Sequence, residues 1–119
     1  MTTSLNCVIA LDSNKAVVCG NSGEILKTMD GGENWAAMDS GTTENLMGLD
    51  AADEEVMWCV GYNGTIIKSL NGGGTWTPHT SGTSSHLMSV SAVNHEVAWV
   101  CGRDGMILRT TDGGIPDTR

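Results

Sequence analysis

"KTMDGGENW" (residues 27–35), "KSLNGGGTW" (68–76) and "RTTDGGIPD" (109–117) are one phrase written three times, each copy 41 residues after the last. The period runs without insertion. Gly20, Gly61 and Gly102 share one position, and Gly23, Gly64 and Gly105 share another. Leu5, Leu46 and Leu87 keep the register, as do Ala10, Ala51 and Ala92; Trp35 answers Trp76, and Trp58 answers Trp99. Repeats of about 40 residues build solenoids, propellers or arrays, in which each unit buries its apolar faces against its neighbours.

The pattern inside one period selects among these. In the middle repeat, "LMGLDA" (46–51) predicts a strand and Asp53-Glu54-Glu55 a polar turn. "VMWCVG" (56–61) is apolar on both faces, as a strand inside a covered sheet must be. "YNG" (62–64) is a hairpin turn in which Gly64 can take a positive φ. A third strand follows at "TIIKSL" (65–70) and a fourth at "TWTPH" (75–79), where Pro78 requires an edge or a strand end. Glycines interrupt every stretch before a helix could form, and β-branched residues dominate the apolar runs. Four strands per period, in units that cannot bury both faces alone, make the blade of a β-propeller.

The quoted phrase resembles the Asp-box, S/T-x-D-x-G-x-x-W, of BNR-type repeats. Thr28, Asp30, Gly32 and Trp35 match it fully; Ser69, Gly73 and Trp76 match with Asn71 for the aspartate; Thr110, Asp112 and Gly114 match without the tryptophan. The longer "VGYNGTIIKSLNGGGTW" (60–76) is similar to the repeats of photosystem II assembly factor-like propellers. That resemblance spans the chain and implies a protein-binding propeller. The box itself reads as structural: a short Asp or Asn accepts turn amides, the glycines take conformations other residues avoid, and the tryptophan folds back over the turn as a buried side chain.

Composition narrows the function. The formal charge is −8, with only six lysines and arginines, which disfavours nucleic acid and anionic membrane alike. No apolar run reaches the length of a membrane helix, and the first residues lack the basic segment of a signal peptide, so a cytoplasmic location is the default expectation. Cys7, Cys19, Cys59 and Cys101 lack metal-site spacing, and Cys19 and Cys101 exchange with Val60, so they read as buried small hydrophobes. No metal and no cofactor are expected.

Catalysis is disfavoured as well. Sialidases, which share the box, use an arginine triad, a tyrosine nucleophile assisted by a glutamate, and an aspartate acid. Of Arg103, Arg109 and Arg119, Arg109 takes the repeat place of Lys27 and Lys68, and Tyr62 stands alone. His79, His86 and His95 occupy unrelated repeat positions. What remains is a surface that varies over a constant scaffold. Asn21, Tyr62, Asn63, Arg103 and Asp104 lie in the turns between second and third strands, and "SGTTEN" (40–45) and "SGTSSH" (81–86) connect the blades. Both sets fall on one rim of a propeller, and Tyr and Arg are types enriched at binding hot spots.

The expected organisation is a single all-β unit, 1–119. Blade 1 covers about 5–41, blade 2 about 46–82, and an incomplete blade 3 about 87–119. Propellers close with about four to eight blades, so a homodimer forming a six-bladed ring is expected, the alternative being a piece of a longer Asp-box propeller. Val8 and Val90 are expected at the junction between copies. The expected function is a non-catalytic interaction module that binds protein, with a carbohydrate-binding lectin as the alternative.

Overall fold

The computed structural model describes residues 3–111 and the backbone of 115–118. Among the described residues, twelve strands form three antiparallel four-stranded sheets. Blade 1 contains β1 (Leu5–Ala10), β2 (Ala16–Gly20), β3 (Ile25–Thr28) and β4 (Ala36–Met38). Blade 2 contains β5 (Leu46–Ala51), β6 (Met57–Gly61), β7 (Thr65–Ser69) and β8 (Thr77–His79). Blade 3 contains β9 (Leu87–Ala92), β10 (Ala98–Gly102), β11 (Ile107–Thr111) and β12 (Ile115–Thr118). In each sheet the strands follow one another in chain order.

Strand alternation gives every blade two faces, one toward the preceding blade and one toward the following blade. Between blades 1 and 2, Val17, Cys19 and Ile25 meet Leu46, Leu49, Met57, Cys59, Ile67 and Trp76. Between blades 2 and 3, Trp58, Val60 and Ile66 meet Leu87, Val90, Ala98, Val100 and Leu108. Repeat positions are therefore face-specific: Ile25 and Ile66 look forward, whereas Leu49 and Val90 look back. β6 contributes to both clusters, and all five of its residues are buried.

Small residues let the first two strands of each blade close up at one end. A Cβ on Gly20, Gly61 or Gly102 would stand 2.2–2.3 Å from the carbonyl of Ser4, Asn45 or His86. Pro78 lies on the outermost strand of its blade, opposite Ile67, where no further strand needs its missing N–H.

Four expectations change. Blade 3 is not short of a strand, because β12 pairs with β11 from Thr111↔Ile115 to Leu108↔Thr118. Its strand begins three repeat positions earlier than β8, so alignment on the box misplaced it. Trp35 is 42% exposed while Trp76 is 8% exposed. The two occupy equivalent backward-looking positions, and only Trp76 has a blade behind it. Cys101 is exposed for the mirror-image reason, on the forward face of blade 3, whereas Cys19 and Cys59 are buried and Cys7 is half-buried. Val90 faces blade 2 inside the chain and does not reach an outer junction; Val8 is 64% exposed on the outer face of blade 1.

Candidate partner-binding rim

Three turns between second and third strands build the rim. Each places its middle residue in the left-handed region, Ser22 at φ 59°, Asn63 at φ 58° and Asp104 at φ 62°, followed by a glycine. Asn and Asp tolerate this conformation better than other side chains, so both positions after the first turn residue, and not Gly64 alone, carry the reversal. The first turn residue is fixed by its amide: Asn21, Tyr62 and Arg103 each donate to the carbonyl of Ser4, Asn45 or His86 at 2.9 Å.

The inter-blade connections lie against the same turns. A Cβ on Gly23 would meet the Thr42 carbonyl at 1.8 Å, and one on Gly64 would meet the Thr83 carbonyl at 1.9 Å. The buried Ser40 hydroxyl donates to the Gly23 carbonyl at 2.7 Å. Turn and connection therefore share one edge of the arc.

Side chains then stitch one blade to the next along this edge. The Ser22 amide donates to Asn45 Oδ1 at 2.9 Å, and the Asn63 amide donates to His86 Nδ1 at 3.0 Å. Asn45 and His86 occupy the same repeat position, and an imidazole nitrogen replaces an amide oxygen as the acceptor. Asn63 Nδ2 also donates to Glu44 Oε1 at 2.9 Å.

This geometry brings Tyr62 and Arg103 together with His86, which the sequence placed in a rim connection, 81–86, without singling it out. The rings of Tyr62 and His86 stack with centroids 4.0 Å apart and 22° between planes. Arg103 joins the cluster, its guanidinium carbon 5.4 Å from the Tyr62 ring and Nη2 3.3 Å from the Tyr62 hydroxyl. Arg103 is exposed and Tyr62 and His86 are half-buried, so the stack is both supported and accessible. Asn21 is separate, its Oδ1 accepting from Asn6 Nδ2 at 2.9 Å, and Asp104 is exposed in the third turn. The signal that could have found His86 is its repeat partner Asn45, placed immediately before a strand beside each turn.

The box residues fold their own turns. Thr28 Oγ1 accepts from the Gly32 amide and Asp30 Oδ1 from the Asn34 amide, both at 2.9 Å, and the Trp35 indole donates to the Gly32 carbonyl at 3.1 Å. Ser69, Asn71, Gly73 and Trp76 repeat these bonds. Thr110 uses its hydroxyl to accept from the Ala98 amide at 2.8 Å and to donate to the Glu96 carbonyl. Asp112, Gly114 and Arg119 lie outside the described residues. The other histidines serve elsewhere: His95 Nε2 is 3.1 Å from Asp53 Oδ2, and His79 sits beside Trp58. Burial, then the neighbouring Lys68 charge, lowers the His79 pKa. Among the described residues no group of His, Cys, Asp or Glu has a metal-holding arrangement.

A family model described as the photosynthesis system II assembly factor YCF48 matches residues 34–119. The chain belongs to the YCF48 family. Among solved structures, one titled "YCF48 bound to D1 peptide" is similar with a TM-score of 0.83 and 18% identity, covering 98% of this chain and 39% of that one. YCF48 from Cyanidioschyzon merolae is similar with a TM-score of 0.80 and 21% identity, again covering 98% of this chain and 39% of its own. At these identities the likeness is one of fold. The chain spans about 39% of the length of the YCF48 structures it matches. No curated protein matches the sequence closely enough to count as a relative.

Proposed function

We propose that this chain is a non-catalytic propeller unit that binds protein at the rim, with Tyr62, Asn63 and Arg103 at the centre of the surface and Asn21 and Asp104 at its margins. The observation that carries the reading is the cluster of Arg103, Tyr62 and His86, in which Arg103 is exposed and the two rings are half-buried. Aromatic rings and guanidinium groups supported in this way lose little side-chain entropy when a partner covers them. A solved YCF48 bound to a D1 peptide supports a peptide as the partner's form. A lectin would need an exposed aromatic repeated in each blade, and Asn21 and Arg103 stand where Tyr62 does.

The three blades, about 5–41, 46–82 and 87–119, act as one unit. A second copy completes the ring: Leu5, Val8 and Trp35 are exposed on the backward face of blade 1, and Trp99 and Ile107 on the forward face of blade 3. The Asp-box residues serve the blades and take no part in binding.

Titration with a labelled D1 peptide tests the rim. Tyr62→Ala and Arg103→Ala are each expected to weaken binding by about 1–3 kcal/mol, the range of interface hot spots. Binding unchanged by both would overturn the rim assignment, and glycan capture on an array would favour the lectin.

A further inference from the structure

We propose that His86 positions the rim cluster only as a neutral imidazole, so that acid unfastens the joint between blades 2 and 3 and weakens capture of the peptide. This rests on the rim reading given above. His86 belongs to the connection that enters blade 3, yet it holds the turn of blade 2. Its Nδ1 accepts the Asn63 amide at 3.0 Å, and its ring stacks on Tyr62 with centroids 4.0 Å apart. Its carbonyl accepts the Arg103 amide at 2.9 Å. One residue thus touches all three at the centre of the rim.

The Asn63 bond fixes the protonation state. A backbone N–H can only donate, so Nδ1 must keep its lone pair and the ring proton must sit on Nε2. A second proton would occupy that lone pair and set two donors against each other. Histidine is the side chain whose charge changes between about pH 5 and 8. The charged groups around the ring give the added proton no partner. The Arg103 guanidinium lies over Tyr62, the Glu44 carboxylate accepts from Asn63 Nδ2 at 2.9 Å, and Asp104 is exposed in the third turn. Among the described residues neither carboxylate pairs with His86, whereas Asp53 Oδ2 stands 3.1 Å from His95 Nε2.

The joint between blades 1 and 2 is the same device without the proton. There the Ser22 amide donates to Asn45 Oδ1 at 2.9 Å, and a side-chain amide does not titrate. The chain therefore holds a titrating and a non-titrating version of one bond, 41 residues apart. The titrating version also carries a ring. Asn21 stands where Tyr62 does and offers nothing to stack, so only the second joint ties its acceptor to an aromatic surface. Once acid turns the imidazole off the Asn63 amide, Tyr62 loses the face that supports it, and Arg103 loses a fixed ring to lie over.

NMR of the backbone amides in the free protein, between about pH 7.5 and about pH 5, tests the joint. The Asn63 amide is expected to leave its low-field position as the His86 ring takes up its proton, with one shared midpoint, while the Ser22 amide stays in place. Titration with a labelled D1 peptide reads the consequence. The unsubstituted protein is expected to bind about two- to tenfold more weakly at about pH 5.5 than at about pH 7.5, the worth of roughly one hydrogen bond. His86→Asn keeps an acceptor and loses the titration, so the ratio of its affinities at the two pH values should fall toward one. His79, His95 and the peptide itself are the same in both proteins and drop out of that comparison. An Asn63 amide indifferent to the His86 proton would overturn the proposal, and so would a ratio that His86→Asn shares. The amide measurement needs no substitution, so it decides even if His86→Asn does not fold. A peptide that fails to bind at about pH 7.5, with the Asn63 amide still following the ring, would overturn the rim reading and leave the proton-sensitive joint standing.

Discussion

Asp30 and Asn71 hold equivalent turns with different charges. Asp30 Oδ1 accepts from the Asn34 amide and Asn71 Oδ1 from the Thr75 amide, each at 2.9 Å. The Asn34 backbone amide, followed by the Asn34 side chain and the Thr28 hydroxyl, holds the Asp30 carboxyl below its ordinary pKa. A group depressed in the folded state adds stability fully above its unfolded pKa, near 4, and that stability is lost as pH falls through the folded value. Asn71 has no such dependence. Asp30→Asn is therefore expected to preserve the fold at neutral pH and to flatten the loss of melting temperature from neutrality down to about pH 3. An unchanged acid limb would place the sensitivity on Asp12 and Asp53, whose carboxyls turn amides also lower. The sequence made this exchange readable because Asp and Asn share an acceptor oxygen at the same side-chain length. It did not make His86 readable, because imidazole shares the acceptor with Asn45 but neither its shape nor its residue class. Only the Asn63 amide at 3.0 Å shows that the two do the same work.

At the scale of an element, the turns after β2 and β6 are limited both by their backbone and by what lies against them. Gly64 has φ 72°, and a Cβ there would stand 1.9 Å from the Thr83 carbonyl. Gly82 has φ 79°, and a Cβ there would meet nothing within 4 Å. Gly82→Ala is expected to cost only the left-handed strain, about 1–2 kcal/mol. Gly64→Ala must also displace the connection and is expected to cost more than about 3 kcal/mol, read from urea unfolding. Equal costs would mean that the connection yields freely and does not hold the rim. The strands themselves were largely legible: β5 runs over the expected 46–51, and β6 and β7 differ from expectation by a residue at one end. The alternation of apolar side chains fixes them locally. β12 was not legible, because the ladder needs only backbone groups opposite β11, whereas the expected alignment followed a tryptophan that blade 3 lacks.

The described blades leave one face of blade 1 and one of blade 3 uncovered, and equivalent tryptophans report on this differently. Trp76 lies between blades 1 and 2 within the chain, so Trp76→Ala is expected to cost about 3–5 kcal/mol at any protein concentration. Trp35 holds its own turn but has no blade behind it in the single chain. Trp35→Ala should cost about 1 kcal/mol in dilute protein, for a lost hydrogen bond, and more at concentrations where the proposed second copy covers it. Chemical unfolding across a concentration series measures both, and equal costs for the two tryptophans in dilute solution would contradict the open face. The blades were readable from the period alone. Which residues lie exposed was not, because a repeat repeats its contacts only where a neighbour exists. Several polar links at the blade joints, Lys27 to Gly72, Ser22 to Asn45, Asn63 to His86 and Lys68 to His95, run from an earlier blade to a later one, while Ala92 to Asp50 and Arg103 to Tyr62 run back. During synthesis, then, each blade leaves the ribosome with these forward donors waiting for acceptors not yet made. The settled part of the nascent chain trails the growing end by one blade, and a pause in translation between blades would leave the newest forward face bare.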